Sequence, residues 1–189
     1  MTYQIGYFVG SLSSTSINRT LSKALVALAP RDMEFTEIPI RDLPLYSPDH
    51  DADYPPEAQA LKDALAACDA VLFVTPEYNR SIPGALKNAI DWASRPIGTT
   101  VLRDKPVAVM GVSPGMGAAA RAQQQVRDAL VYTGSCVMPE PELLIGAALD
   151  KFDDHGNVTD RELRNRVGEV VDALRGWAER IRMPERAAA

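Results

Sequence analysis

The sequence predicts one α/β domain built on a doubly wound, five-stranded parallel sheet with helices on both faces. Short apolar runs alternate with segments of helical periodicity along the chain. Most of these runs are almost continuously apolar, which is typical of strands covered on both faces. A barrel would need eight strands and about 250 residues. The chain has 189 residues and about five strand–helix units, so an open sheet is favoured.

Five apolar runs are predicted to be strands, and five segments with one apolar face are predicted to be helices. The strands cover residues 3–10, 33–39, 70–76, 106–113 and 136–139. The apolar faces of the helices cover residues 17–28, 58–68, 82–93, 119–130 and 163–181. Because strands and helices alternate, the strands are expected to run parallel.

Capping residues indicate where several helices begin. Ser16 can cap the first helix, and Ser81 can cap the third, with Pro83 in its first turn. Thr159 followed by Glu162 has the capping-box pattern ahead of the last helix. The single domain is predicted to cover residues 1–183, and residues 184–189 are expected to form a flexible tail.

One segment, residues 40–57, fits neither pattern. It is acidic, rich in proline and long for a connection in a compact domain. A flap beside a site, an oligomer contact and a solvated loop all remain open for it.

Composition excludes some classes of function. The net charge of −5 and the pI of about 5.1 give no nucleic-acid footprint. No run approaches the roughly 18 apolar residues of a membrane span, and the N-terminus lacks the basic region of a signal peptide. Cys68 and Cys136 are far apart and without metal-site spacing, so both are expected to be reduced, buried thiols. A cytoplasmic protein is expected.

Ligands of open α/β sheets bind outside the carboxyl ends of the strands, and three loops there have unusual sequences. The first, GSLSSTSINRT (residues 10–20), is rich in short polar side chains. They are Ser11, Ser13, Ser14, Thr15 and Ser16, followed by Asn18 and Arg19. Hydroxyls and helix N-terminal amides together suit a phosphate. The loop lacks the glycine patterns of dinucleotide folds and P-loops, and it lacks a phosphatase cysteine. An ordinary loop capped by Ser16 is the alternative.

The second and third loops follow the third and fourth predicted strands. Residues 76–80, PEYNR, exceed what helix capping requires, and a loop stiffened by Pro76 could present a polar edge and an aromatic wall to a planar heterocycle. In the third loop, Gly115 and Gly117 would let the backbone approach the same ring. Ordinary glycine turn chemistry is the alternative for this loop.

Together, the Ser-rich first loop, TPEYNRSIPGALKNAIDWAS and GVSPGMGAAARAQQQVRDAL resemble the NADPH-dependent FMN reductase family. The chain looks most like its chromate and quinone reductase branch, which also holds azo-dye reductases. The similarity spans about residues 3–145, and the P-E-Y-N-x-S-x-P-G-x-L-K-N-A-I-D-W run is its most specific part. The resemblance implies a flavodoxin-like sheet in the order 2-1-3-4-5, with FMN at the switch point between strands 1 and 3.

The resemblance also implies roles for individual residues. The 5′-phosphate of FMN would be held by Ser11, Ser13, Ser16, Asn18 and Arg19. The ring and ribityl chain would be lined by Pro76, Glu77, Tyr78, Asn79 and Arg80, of which Arg80 is at a variable position of the family pattern. Ser113, Gly115 and nearby amides would face the pyrimidine end. Homodimers or homotetramers are implied, with Arg121, Arg127 and Tyr132 as candidate contacts or, equally, as solvated side chains.

The implied activity is an NAD(P)H-dependent FMN reductase acting on quinones, azo compounds or chromate. Flavin N5 would take hydride from NADPH or NADH and pass it on in ping-pong fashion, with no essential side-chain acid or base and no metal. Amides of residues 113–117 would stabilise the negative charge of the reduced ring. Arg80, Arg95 and Arg103 are candidates for meeting the 2′-phosphate of NADPH, and the coenzyme preference and physiological acceptor are left open.

Three alternatives from other classes are considered. A flavodoxin-type electron carrier would need a partner reductase. A regulatory receiver needs an Asp after the third strand, where this chain has Thr75 and Pro76. An FMN-lacking relative would serve as a scaffold.

Overall fold

A computed structural model describes residues 2–153 and 155–187 as strands alternating with helices. The strands are β1 Tyr3–Val9, β2 Met33–Glu37, β3 Ala70–Val74, β4 Pro106–Val112, β5 Cys136–Val137 and β6 Leu143–Ile145. The helices are α1 Ile17–Leu28, α2 Pro56–Ala67, α3 Gly84–Ser94, α4 Ala120–Tyr132 and α5 Arg161–Ala187. Short 3₁₀ turns cover Pro48–His50 and Ala148–Lys151. The predicted single domain over residues 1–183 and the flexible tail over residues 184–189 stay predictions; residues 188 and 189 lie outside the described residues.

The sheet has the predicted order, β2-β1-β3-β4-β5, and every pairing in it is parallel. β6 was not predicted. It also pairs with β4, opposite Met110–Val112, while β5 pairs with the start of β4 at Pro106 and Val107. Pro139 and Pro141 stand between β5 and β6. Because proline has no N–H to give to a ladder, the chain leaves the sheet there and rejoins it further along β4.

Two apolar layers cover the sheet, one on each face. α1 and α5 pack on one face, and α2, α3 and α4 pack on the other. Along β3, which is buried throughout, Leu72 and Val74 point to the first layer while Val71 and Phe73 point to the second. The near-continuous apolar pattern of the strands is thereby explained.

The predicted helix starts are right for α1 and wrong for α3. The Ser16 side chain accepts from the Arg19 N–H, so Ser16 is the N-cap of α1. α3 begins at Gly84 after Pro83, without a side-chain cap. Ser81 lies too early in the chain to cap it, and its Oγ instead donates to Gln125 Oε1 at 2.7 Å.

The predicted capping box of α5 is also wrong, by one residue. Asp160 Oδ1, not Thr159, accepts from the Leu163 N–H at 2.7 Å. The Lys151 ammonium donates to the other carboxylate oxygen at 2.8 Å, and this hydrogen bond, more than any other contact, holds the pKa of Asp160 below its usual range. A carboxylate with a cation beside it therefore takes the place of the Thr159 hydroxyl.

The irregular segment, residues 40–57, is fastened to α3 around Trp92. The Trp92 indole N–H donates to Pro44 O at 2.7 Å, and the Tyr46 N–H donates to Asn88 Oδ1 at 2.9 Å. The Tyr54 hydroxyl donates to Trp92 O at 2.6 Å, and the rings of Tyr46 and Tyr54 meet the indole edge-on. The segment is thus packed rather than merely solvated, and its possible roles as a flap or an oligomer contact stay predictions.

Both cysteines are free and half-buried, not fully buried as expected. Burial raises the pKa of each thiol, and Cys68 Sγ also donates to Ala64 O. Among the described residues, no group of His, Cys, Asp and Glu side chains could hold a metal ion. No helix in the same residues is long and apolar enough to span a bilayer.

Arg127 is buried, so its prediction as a subunit contact is wrong. It is 8% exposed, and its guanidinium donates to Met138 O at 2.6 Å and to Val109 O at 3.5 Å. It therefore ties α4 to β4 and to the chain after β5. Arg121 and Tyr132 are exposed, and their role in a subunit contact stays a prediction.

Candidate active site

Three loops meet at the carboxyl edge of the sheet. The first loop (residues 10–16) follows β1, the second loop (residues 75–83) follows β3, and the third loop (residues 113–119) follows β4. β3 lies between β1 and β4 in the sheet, so the three loops are neighbours in space although they are about 60 and 40 residues apart along the chain.

The first and second loops touch through two hydroxyl groups. Ser11 Oγ and the Tyr78 hydroxyl are 3.0 Å apart, and Ser11 is buried while Tyr78 is 49% exposed. Behind them, the Gly10 N–H donates to Val74 O at 2.8 Å. The contact fixes the phenol ring of Tyr78 at the edge of the first loop, with half of its surface open to a ligand.

The second loop also caps the helix that follows the third loop. Glu77 Oε2 accepts from the Arg121 N–H at 3.0 Å and from the Ala122 N–H at 3.3 Å, at the start of α4. A carboxylate at a helix N-terminus satisfies free donors and is stabilised by the helix dipole. Glu77, predicted to line the flavin, thus joins the second loop to α4 through its side chain.

Between these loops the exits of β3 and β4 run against each other at Gly111. A Cβ on Gly111 would lie 2.1 Å from Thr75 O, which is far too close. Glycine is therefore the residue that fits there, and the backbones of the second and third loops leave the sheet side by side.

The tip of the second loop is a tight turn over residues 78–81. The Tyr78 N–H donates to Ser81 O at 3.1 Å, the Ser81 N–H donates to Tyr78 O at 2.9 Å, and the φ angles of Asn79 and Arg80 are 51° and 62°. Two positive φ angles are the mark of a type I′ turn. Gln125 of α4 holds its base by accepting from the Ser81 hydroxyl and donating to Arg80 O. Asn79 and Arg80 are exposed.

The hydroxyls of the first loop are partly used within the loop. The Ser13 N–H donates to Ser11 Oγ at 3.3 Å, and the Thr15 N–H donates to Ser13 Oγ at 3.2 Å. Within the described part of the chain, neither the Ser14 N–H nor the Ile17 N–H donates a hydrogen bond. The loop and the start of α1 therefore offer unfilled backbone donors as well as hydroxyls.

The side chains of Asn18 and Arg19 are directed away from the first loop. Asn18 is 1% exposed and exchanges two hydrogen bonds of 3.0 Å with the backbone N–H and C=O of Val112. Arg19 Nη1 donates to both carboxylate oxygens of Glu37 at 2.8 Å. Beside this pair, burial is the main reason that the pKa of Tyr7 is raised, and the charge of Glu37 adds to it.

The third loop is shaped by alanines rather than by its glycines. Ala118 and Ala119 have φ angles of 51° and 56°, whereas Gly115 and Gly117 have no positive φ. A Cβ on Gly117 would meet nothing within 4 Å, so the loop has open space beside it. The Gly115 N–H donates to Ser113 Oγ at 3.1 Å, which leaves Ser113 inside the loop.

Besides Gln125, two side chains support the loops and were missed by the sequence reasoning. Gln123 is 2% exposed, and its amide donates to Leu143 O at 2.9 Å and more weakly to Ala118 O, while its Oε1 is buried without a partner. Arg41 donates to Leu12 O, so the irregular segment reaches the first loop. Sequence spacing carries no signal for such contacts, apart from the positions of Gln123 and Gln125 on the helix after a candidate loop.

Comparisons with known proteins agree with this architecture. A model of the NADPH-dependent FMN reductase family matches residues 3–150. A 2-hydroxy-1,4-benzoquinone reductase from Burkholderia sp is 42% identical over 177 residues, which cover 94% of this chain and 97% of that protein. A quinone reductase from Pseudomonas putida is 43% identical over 178 residues, which cover 94% of this chain and 95% of that protein.

One solved structure resembles this protein over nearly the whole length of both chains. It is FerB, a flavoenzyme NAD(P)H:(acceptor) oxidoreductase from Paracoccus denitrificans, with 42% sequence identity and a TM-score of 0.89. The match covers 95% of this chain and 98% of that chain.

Proposed function

The chain belongs to the NADPH-dependent FMN reductase family, and we propose that it is an FMN-dependent NAD(P)H oxidoreductase that reduces quinones. The names of its relatives support quinones as acceptors, and FerB supports a flavin with an NAD(P)H donor. Azo compounds and chromate remain further candidate acceptors from the sequence resemblance.

The observation that carries the proposal is the convergence of the three loops at the carboxyl edge of the sheet. Ser11 joins the first loop to Tyr78, and Glu77 joins the second loop to the helix after the third. The Met116 and Gly117 amides in the third loop, like the Asn79 amide in the second, donate no hydrogen bond within the described residues. A ligand with a phosphate at one end and a polar ring at the other would satisfy these donors together.

The donor set fits FMN. Among the described residues, the backbone N–H groups of Ser14, Ile17 and Asn18 donate no hydrogen bond. Together with the hydroxyls of Ser13 and its neighbours, they suit a phosphate dianion. In this arrangement Asn18 would contribute its backbone N–H rather than its side chain. Ser11 and Ser16 would shape the loop, and Arg19 would act through its charge while it stays paired with Glu37.

The ring would lie between the second and third loops. Pro76, Tyr78, Asn79 and Arg80 would form one wall, with Glu77 fixing that wall to α4. Ser113 and Gly115 would hold the third loop in shape through their hydrogen bond. The amides of Met116 and Gly117 would then be free to face the pyrimidine edge.

When bound, FMN supplies the redox chemistry, taking hydride from NAD(P)H and passing two electrons to the acceptor. The chain positions the ring and provides dipoles. Preorganised amides of the third loop would stabilise negative charge at the pyrimidine edge without reorganising. Neither histidine lies on the three loops: His50 lies against Trp92, and His155 is in the exposed turn after Asp153. Proton exchange is therefore assigned to solvent.

Two further statements are proposals of the same kind. A cytoplasmic location agrees with the two free cysteines, because thiols stay reduced in that compartment. A homodimer or homotetramer agrees with the exposure of Val131 and Tyr132, which are 64% and 88% exposed at the end of α4. Light scattering of the purified protein measures the oligomeric state directly.

The function is tested by mixing the FMN-loaded protein with NADPH or NADH without oxygen and recording the flavin absorption bands. With one equivalent of NAD(P)H for each FMN, we expect bleaching with no partner protein present. Recovery should follow when 1,4-benzoquinone is added, with one quinone reduced to hydroquinone for each FMN. A protein that keeps FMN but is bleached only through a partner reductase would be an electron carrier. A protein that takes up no FMN would be a scaffold, and either result overturns the proposal.

A further inference from the structure

We propose that Arg80 and Arg121 form a site for the 2′-phosphate of NADPH and make this protein prefer NADPH to NADH. The inference rests on the proposed function and deepens it, because it assigns the coenzyme preference to two named side chains. Four observations support it: the positions of the other candidate arginines, the geometry of the turn at residues 78–81, the face of α4 that holds Gln125, and the lack of acidic partners.

Arg95 and Arg103 lie at the opposite edge of the sheet. α3 starts beside the second loop and has 11 residues, so Arg95, at its far end, is about 16 Å away from the carboxyl edge. Arg103 precedes the 7-residue strand β4, whose length is about 23 Å. Both arginines line one depression there, so within one protomer they lie far from a coenzyme that is bound over the three loops.

Arg80 is at the exposed tip of the second loop. It occupies the second central position of the type I′ turn with a φ angle of 62°, and its side chain is exposed. That conformation is unfavourable for a non-glycine residue, since L-residues avoid the left-handed region. Glycine is the usual residue at such a position. An arginine at this position therefore indicates that its side chain has a function at the turn.

Arg121 projects from α4 next to the same turn. Its backbone N–H is held by Glu77, which directly precedes the turn. Four residues later Gln125 contacts Ser81 and Arg80 O, and residues spaced by four share one face of a helix. Arg121 and Arg80 therefore flank the same junction between α4 and the second loop.

Both guanidinium groups lack a protein partner among the described residues, in contrast to Arg19 and Arg127. The carboxylate of Glu77 is nearby, but its Oε2 already accepts from two amides. α4 has no acidic residue before Asp128, two turns further on. Two unpaired, planar donor groups match the geometry of a phosphate, which guanidinium binds through paired hydrogen bonds.

The test compares equal losses of charge at the two edges of the sheet. In the FMN-loaded protein, Arg80→Gln and Arg121→Gln remove the proposed ligands, and Arg103→Gln is the matched control. Each of these two substitutions is expected to lower the ratio of kcat/KM for NADPH to kcat/KM for NADH by about tenfold, because a charged hydrogen bond is lost. Arg103→Gln should leave the ratio unchanged, and Arg80→Lys, which keeps the charge without the fork, should be intermediate.

A binding measurement without hydride transfer separates this inference from the proposed function. Calorimetry with 2′,5′-ADP and with 5′-AMP reports the 2′-phosphate alone. We expect the unsubstituted protein to bind 2′,5′-ADP at least about tenfold more tightly, and Arg80→Gln with Arg121→Gln to abolish the difference. Equal binding of both nucleotides by the unsubstituted protein overturns the assignment, as does a ratio that falls equally in Arg103→Gln. If the nucleotides are distinguished but no flavin bleaching occurs, it is the proposed function that fails.

Discussion

Replacing Asn18 with alanine tests whether this residue organises the site or contacts the ligand. Its side-chain amide donates to Val112 O and accepts from Val112 N, both at 3.0 Å. Asn18 and Val112 are both almost completely buried. The two bonds fasten the start of α1 to the last residue of β4, and so hold the first and third loops together.

The expected loss of stability follows from the two backbone groups left behind. In Asn18→Ala the N–H and C=O of Val112 stay buried without partners, and each unsatisfied group costs about 1–3 kcal/mol. Water that enters the space of the missing amide would recover part of this. We therefore expect the free energy of unfolding to fall by about 2–4 kcal/mol. Asn18→Asp should cost at least as much, because a buried carboxylate would face Val112 O.

Urea denaturation with and without saturating FMN measures the free energy of unfolding and the added stability that FMN binding gives. Ser14→Ala is the control. Ser14 is exposed in the same loop, and its replacement should change the stability by less than about 0.5 kcal/mol. If Asn18→Ala left the flavin-free protein as stable as the parent while FMN affinity fell tenfold, the side chain would be a phosphate ligand. The described geometry would then be the wrong account of its role.

Three further changes test other contacts. Glu77→Ala should lower the free energy of unfolding by about 1 kcal/mol, because α4 loses its cap. Glu77→Gln keeps an acceptor and should lower it less. Equal stability of Glu77→Ala and the parent in urea would rule the cap out. Gly111→Ala should lower the free energy of unfolding by roughly 3 kcal/mol or more, because the new Cβ would meet Thr75 O at 2.1 Å. Gly168→Ala in α5, where a Cβ meets nothing within 4 Å, should raise it by up to about 1 kcal/mol. Thermal melts that do not separate the two variants would contradict the packing. Burial, the largest cause, raises the pKa of Tyr54 from 10.0 to about 12. The unfolded chain therefore loses this proton first, stability falls as the pH rises from 10 to 12, and Tyr54→Phe should flatten that fall in melting temperatures measured across the window.

The fold was largely readable from the sequence because buried parallel strands leave a near-continuous apolar pattern. β6 escaped because Leu143–Ile145 is only three residues long and follows two closely spaced prolines. The caps of α3 and α5 were misplaced by two residues and one residue, since Ser81 and Thr159 have the chemistry of caps but Pro83 and Asp160 occupy the positions. Local patterns predict that an element exists better than they predict where it begins.

The convergence of the three candidate loops was also predictable, whereas the hydrogen-bond partners of their side chains were not. The topology brings the three loops to one edge, and their residue types indicated a polar ligand. However, Asn18 and Val112 are 94 residues apart, and Glu77 and Arg121 are 44 residues apart. Nothing in the local sequence shows that these polar groups hydrogen-bond to each other. Arg127 was misjudged for the same reason, since the carbonyls that accept its hydrogen bonds lie in β4 and in the chain after β5.

The hydrogen bonds of the site side chains imply that FMN and NADPH are bound by different kinds of groups. The side chains of Asn18 and Glu77 hold the loops, so in the proposed arrangement fixed backbone amides would meet FMN. NADPH would meet exposed guanidinium groups at Arg80 and Arg121 instead. Exposed charges are screened by salt, with a Debye length of about 8 Å at physiological ionic strength, whereas partly buried dipoles are screened much less. Raising the salt from about 0.05 to 0.5 M should therefore raise the KM for NADPH severalfold and leave the dissociation constant of FMN nearly constant. Equal salt dependence of the two would mean that charged side chains, and not amides, hold the flavin.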